Sequence, residues 1–220
     1  GEPHLVQLRP ENDFLIPLDD IPTSVAERAR ILYLNYPNNP TTAVAPDAYL
    51  QDAIHFCAEH DIVLAFDNAY SEFGFDGYRP RSILEFDGAR DVAVEFHSLS
   101  KTYNMTGWRM AFAVGNELIV KAFAYVKDNI DSGQFAAIQK ACIYALQHPE
   151  ITDQTVIKYK RRLELLVDTI NSVGFNASMP GGSFFLYVKA PKGIAGGRTF
   201  ETAEDFSQYL ITEHLVSTVP

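Results

Sequence analysis

Between Ala29 and Gly115 the chain carries three short, densely apolar runs, Ile31–Leu34, Ile62–Phe66 and Val92–Phe96, separated by stretches with helical or loop patterns. Runs of this length and spacing are the signature of strands that cross over to parallel neighbours. Between the first two, Pro46 opens a segment in which Tyr49, Leu50, Ala53, Ile54, Cys57 and Ala58 recur at helical spacing, completing a β-α-β unit. The spacing therefore predicts an α/β fold with a mostly parallel sheet. A further apolar run, Met110–Val114, ends at Gly115-Asn116 and reads as another strand.

After Glu117 the pattern turns helical as far as Leu146, with an interruption near Asp131-Ser132-Gly133. Residues 150–173 form a long amphipathic pattern, with Val156, Leu163, Leu166, Val167 and Ile170 on one side and the Lys158–Arg162 cluster on a solvated face. Gly174 closes that helix. Ser183–Lys189 alternates like a strand, 190–199 is a loop, and Thr202–Glu213 reads as a last helix. We expect a large domain over residues 1–130 and the start of a smaller α+β domain over residues 131–220. The chain opens as if inside a domain and stops at Val219-Pro220 as a strand begins, so it reads as a fragment.

Composition narrows the function. With 47% hydrophobic and 21% charged residues the chain can bury a core, and its net charge of −10 argues against nucleic acid as a partner. Any anion site must be a local pocket. The two cysteines, Cys57 and Cys142, lie in apolar helical stretches and fit a reducing, cytoplasmic setting better than a disulfide framework. The six histidines show no metal-ligand spacing, so no metal is expected, and no apolar run is long enough for a membrane span.

Each of the three parallel-strand runs leads directly into polar residues at its carboxyl end, where open α/β sheets place their ligand crevices. The first delivers Asn35–Thr41, the second Asp67-Asn68-Ala69-Tyr70, and the third His97-Ser98-Leu99-Ser100-Lys101, with Arg109 downstream. One crevice would thus hold a carboxylate, an amine, hydroxyls and a guanidinium.

These residues resemble the motifs of the fold-type I pyridoxal-phosphate enzymes, specifically the class I/II aminotransferases. Asn39-Pro40-Thr41-Thr42 resembles the family's Asn-Pro-Thr-Gly turn, with Thr42 in place of glycine. Asp67-Asn-Ala-Tyr70 and Ser98-Leu-Ser100-Lys101, followed after seven residues by Arg109, resemble its other two signatures. The resemblance implies a three-layer α/β/α large domain, pyridoxal 5'-phosphate as cofactor, amino-acid and 2-oxo-acid substrates, and a homodimer. It gives Lys101 the covalent link to the cofactor and the proton transfer at the substrate α-carbon. Asp67 then faces the pyridine nitrogen, Asn39 and Tyr70 the ring's phenolic oxygen, and Ser98, Ser100 and Arg109 the phosphate.

Gly182-Ser183-Phe184-Phe185 resembles the strand entry near the substrate mouth, and Asp131–Gln134 a stretch near the dimer interface. Trp108 reads as a packing residue. The family's glycine-rich phosphate loop and its substrate-carboxylate arginine are expected outside residues 1–220. Three runs, Ser98–Arg109, Asn129–Gly133 and Tyr159–Arg162, look most like those of the LL-diaminopimelate aminotransferase branch, which serves lysine biosynthesis. Aspartate, alanine and aromatic aminotransferases, carbon–sulfur lyases and the effector domains of transcription regulators share much of the same pattern.

Overall fold

The computed structural model describes residues 1–220. Its centre is a four-stranded sheet in the order β1-β2-β3-β4, formed by Ile31–Asn35, Val63–Asp67, Ala93–Ser98 and Ala111–Gly115. The first three strands run parallel, with Asn35 beside Asp67 and Asp67 beside Phe96, so their carboxyl ends lie side by side. β4 runs antiparallel to β3, pairing Ala111 with Ser98. Gly115 is required where these two strands meet, because a Cβ there would lie 2.4 Å from the Ala93 carbonyl oxygen.

The chain has eight helices: α1 (Thr23–Ala26), α2 (Asp47–Glu59), α3 (Ala89–Val92), α4 (Leu99–Thr102), α5 (Glu117–Asp128), α6 (Ala136–Leu146), α7 (Glu150–Ser172) and α8 (Ala203–His214). α2 is the crossover from β1 to β2. Pro46 precedes its first turn, and its buried residues Leu50, Ala53, Ile54 and Cys57 pack on Leu34, Leu64 and Phe66 of the sheet. The helix stops where Asp61 takes a left-handed conformation at φ 55° and the Ile62 N–H donates back to the Cys57 carbonyl.

Two smaller clusters brace the strand ends. Behind β3, Leu99 packs with Cys142 and Ala145 of α6. Beyond β2, Tyr70, Phe73 and Phe75 pack with Leu163 of α7, joined by Tyr159, Phe184 and Phe185. Both cysteines are buried free thiols, and no helix is long and apolar enough to cross a membrane.

Segment 183–189 departs from the expectation. It forms no ladder, and the nearest backbone pairing is the isolated bridge between Gly74 and Gly182. A strand requires a lateral partner, and here the side chains of Phe184 and Phe185 turn onto Tyr70 instead. The alternation read from the sequence survives only as burial, with Leu186 and Val188 half-buried and Tyr187 and Lys189 exposed. At the outer side of the sheet, Ile31 and Tyr33 of β1 are exposed, Tyr33 to 70%.

Candidate functional site

The turn after β1 is built by asparagines. The Asn35 side chain accepts from the Asn39 N–H at 2.8 Å and donates to the Asp67 carbonyl at 2.9 Å, tying the turn to the end of β2. Asn38 is buried and closes the loop from inside. Its Oδ1 accepts from the Thr41 hydroxyl at 2.7 Å and the Thr41 N–H at 3.2 Å, while its Nδ2 donates to the Asn35 carbonyl at 3.1 Å. Thr42 stands at φ 62°, the left-handed region that glycine enters freely and that costs a residue with a Cβ roughly 1–2 kcal/mol. The turn forms nonetheless, held by the Thr42 N–H donating to the Asn38 carbonyl at 2.9 Å.

Asp67 ends β2 with its carboxylate open to solvent and one oxygen accepting from the Ala69 N–H at 3.2 Å. Desolvation by its surroundings raises its pKa above the usual carboxylate range, against the opposing pull of the Ala69 hydrogen bond and of Lys101 and His97. Tyr70 follows, 3% exposed, meeting the rings of Phe184 and Phe185 edge-on at 5.5 and 5.8 Å. Its phenol is pushed up to about 12, first by desolvation and then by the charge on Asp67, while a hydrogen bond with the Asn39 side chain acts the other way. Asn39, Tyr70, Asp67 and Lys101 are therefore brought together.

At the end of β3, the Ser98 hydroxyl caps α4 by accepting from the Ser100 N–H at 3.3 Å, which leaves its own proton free to donate. Ser100 is buried, and Lys101 is half-buried and takes part in none of the ion pairs. The following loop folds back on this segment. The Thr106 hydroxyl donates to the Ser100 carbonyl at 3.1 Å, and the Leu99 N–H donates to the Met110 carbonyl at 3.3 Å. Arg109, at φ 55°, is thereby set one residue from a backbone bond to the Ser98–Ser100 turn. Its guanidinium donates to the Thr106 carbonyl at 3.2 Å, contacts neither serine hydroxyl, and keeps its other N–H groups uncommitted. Trp108, expected to pack, is 47% exposed, because the short turn Thr106–Trp108 carries it on the loop's outer side.

One group of functional interest escaped the sequence reading. Register pairs Glu95 with Phe66, so its side chain points into the buried face of the sheet and is 0% exposed. It accepts from Asn68 at 3.0 Å, from the Ser82 hydroxyl at 2.7 Å and from the Ile83 N–H at 2.8 Å, and it pairs with His97 Nε2 at 2.6 Å. Burial alone would raise its carboxyl; the hydrogen bonds from His97, Asn68 and Ser82 outweigh that and hold it below the usual range. A lone acidic residue inside an otherwise apolar run was the available signal.

The whole chain, residues 1–220, matches the family described as aminotransferase class I and II. It is 56% identical over 220 residues to an LL-diaminopimelate aminotransferase of Methanocaldococcus jannaschii, covering 100% of this chain and 52% of that protein. An LL-diaminopimelate aminotransferase of Methanococcus maripaludis is 53% identical, with 100% and 53% covered. Among solved structures, apo-BacF from Bacillus subtilis superposes with a TM-score of 0.90 at 40% identity, covering 97% of this chain and 56% of that one. The chain spans about half the length of the curated relatives it matches. On a match that runs from its first residue to its last, this chain belongs to the aminotransferase class I and II family.

Proposed function

We propose that the protein to which this chain belongs is a pyridoxal-phosphate-dependent aminotransferase that moves an amino group from LL-diaminopimelate to 2-oxoglutarate, a step of lysine biosynthesis. The observation that carries the reading is a carboxylate, Asp67, at the end of β2 and an amine, Lys101, in the helix α4 that directly follows the adjacent parallel strand β3, within charge reach of each other. Identities of 56% and 53% to proteins named for that activity support the substrate.

The donor set fits this cofactor. Pyridoxal phosphate, when bound, supplies a sink for the electrons left on a substrate α-carbon after deprotonation. Asp67 bears a charge that its surroundings disfavour, so it gains most from a cationic neighbour, which a protonated pyridine nitrogen provides. Tyr70, protonated at physiological pH, donates to the phenolic oxygen beside Asn39. Ser98 has a hydroxyl proton to give and Arg109 has unpaired N–H groups, the combination that binds a phosphate in an acidic chain; Ser100 joins them from the same turn. Lys101 both anchors the cofactor and moves the proton at the substrate α-carbon.

Residues 1–130 are assigned to the cofactor-binding domain and 131–220 to an interdomain helix and the small domain. A homodimer suits the reading, since two-fold pairs are the commonest closed assemblies. The two buried free thiols suit a cytoplasmic setting.

The test uses the full-length protein. Borohydride reduction and peptide mapping are expected to find the pyridoxyl label on Lys101; a label on another lysine removes the assignment. With 2-oxoglutarate as acceptor, LL-diaminopimelate should exceed aspartate, alanine and tyrosine in kcat/KM by at least ~10-fold, about 1.4 kcal/mol of transition-state discrimination. A better rate with one of the others replaces the substrate and keeps the reaction. Pyruvate and ammonia released from a β-substituted amino acid would replace the reaction itself.

A further inference from the structure

The side-chain amide of Asn35 joins two parts of the site by direct contact. Register sets Asn35 beside Asp67 as the last pair of the β1–β2 ladder, so their side chains emerge on the same face of the sheet. Its Oδ1 accepts from the Asn39 N–H at 2.8 Å, and its Nδ2 donates to the Asp67 carbonyl at 2.9 Å. A backbone N–H only donates and a carbonyl only accepts, so these partners fix the amide in one orientation; turning it over would lose both bonds. The residue is held from behind as well, its own carbonyl accepting from Asn38 Nδ2 at 3.1 Å.

Between Asn35 and Asn39 the chain has little room to adjust. Tyr36, Pro37 and Asn38 are all buried, and the Gly182 backbone lies against Pro37. Asn39 itself is exposed, and its side chain hydrogen-bonds Tyr70. A path of direct contacts thus runs from Tyr70 through Asn39 and Asn35 to the backbone of Asp67.

From this geometry we infer that Asn35 is a positioning residue that sets the separation between Asn39 and Asp67. The inference rests on the proposed function, in which those two residues meet the phenolic oxygen and the nitrogen of one rigid ring. Such a ring does not adapt to a changed spacing, and a displacement of about 1 Å is enough to weaken either contact. Asn35 acts through the Asn39 backbone and through the strand end that carries Asp67.

Two variants of the full-length protein separate this role from the plain stability of the turn. Asn35→Leu keeps a similar side-chain volume and loses both bonds. Thr41→Val loses the hydroxyl that donates to Asn38 Oδ1 at 2.7 Å, which loosens the same turn and leaves the Asn35 amide its two partners. Without cofactor, hydrogen exchange of the Asn39 amide, followed by NMR, is expected to speed up by ~10-fold or more in Asn35→Leu and to stay near the parent rate in Thr41→Val. With pyridoxal phosphate bound, the pH at which its visible absorbance changes should rise by about half a unit or more in Asn35→Leu, because Asn39 no longer steadies the negative phenolic oxygen. Thr41→Val should titrate with the parent.

An Asn39 exchange rate in Asn35→Leu equal to the parent's overturns the inference, as does an absorbance titration that moves equally in both variants or in neither. Should Asn35→Leu fail to fold, Asn35→Ser, whose side chain is too short to span both partners, takes its place. A parent protein that takes up no pyridoxal phosphate would sink the proposed function and leave the cofactor-free exchange measurement to judge the Asn35 tie.

Discussion

Asp67 sits where its charge is held at some cost. Its folded pKa lies above the ordinary carboxylate value, so this residue's favourable contribution to stability is full below the unfolded pKa of ~3.9 and is lost as pH rises through the folded value. Asp67→Asn should therefore raise the melting temperature of the cofactor-free protein at pH 7 and leave it unchanged near pH 3. Because the carboxylate is solvent-exposed the gain is small, a rise of no more than about 3 °C. Calorimetry at the two pH values checks it, and a fall at pH 7 would contradict the account. Asp67 could be picked out from the sequence because it follows an apolar run, where sheets of this class place ligands. Glu95 could not be read the same way. Apart from His97, its partners are 12 to 27 positions away and meet it only through the register of β2 on β3 and the turn at Ser82.

Among the elements, the extended segment that begins at Gly181 shows how tightly the site's wall is seated. A Cβ on Gly182 would lie 2.7 Å from Pro37 Cγ and 3.0 Å from the Phe73 carbonyl oxygen, so this backbone runs in contact with the asparagine turn on one side and the Tyr70 segment on the other. Gly182→Ala is expected to lower stability by about 1–3 kcal/mol through overpacking. Its neighbour is the control. A Cβ on Gly181 meets only Val44 at 3.4 Å, and Gly181→Ala should stay within about 0.5 kcal/mol of the parent in denaturant unfolding. Equal midpoints for the two variants would remove the steric argument. The strands and helices here were largely legible because period and length separate them: β1–β3 and helices α2, α5, α6, α7 and α8 lie within a few residues of the expected spans. The orientation of β4 was not, since an apolar run carries no direction. The 183–189 segment misled because alternation reports which side chains are covered, while a strand also needs a neighbour to bond.

Across these 220 residues taken together, surface chemistry is set by two opposed features. The chain carries a net charge of −10, yet it exposes Ile31 and Tyr33 along β1 and Leu118, Tyr125 and Ile130 on and after α5. β1 is also an edge strand, with no bonded neighbour on its outer side. A solution of these 220 residues should therefore behave as a charge-stabilised colloid. At low ionic strength, like-charge repulsion keeps the molecules apart. At 0.1 M salt the Debye length shrinks to about 10 Å, and contacts between apolar edges take over. Light scattering across a salt titration is expected to show particle size growing with ionic strength, and a size independent of salt would contradict it. The row Ile31-Tyr33 then acts as a point of adhesion, and replacing Tyr33 with lysine should move the onset of clustering to higher salt.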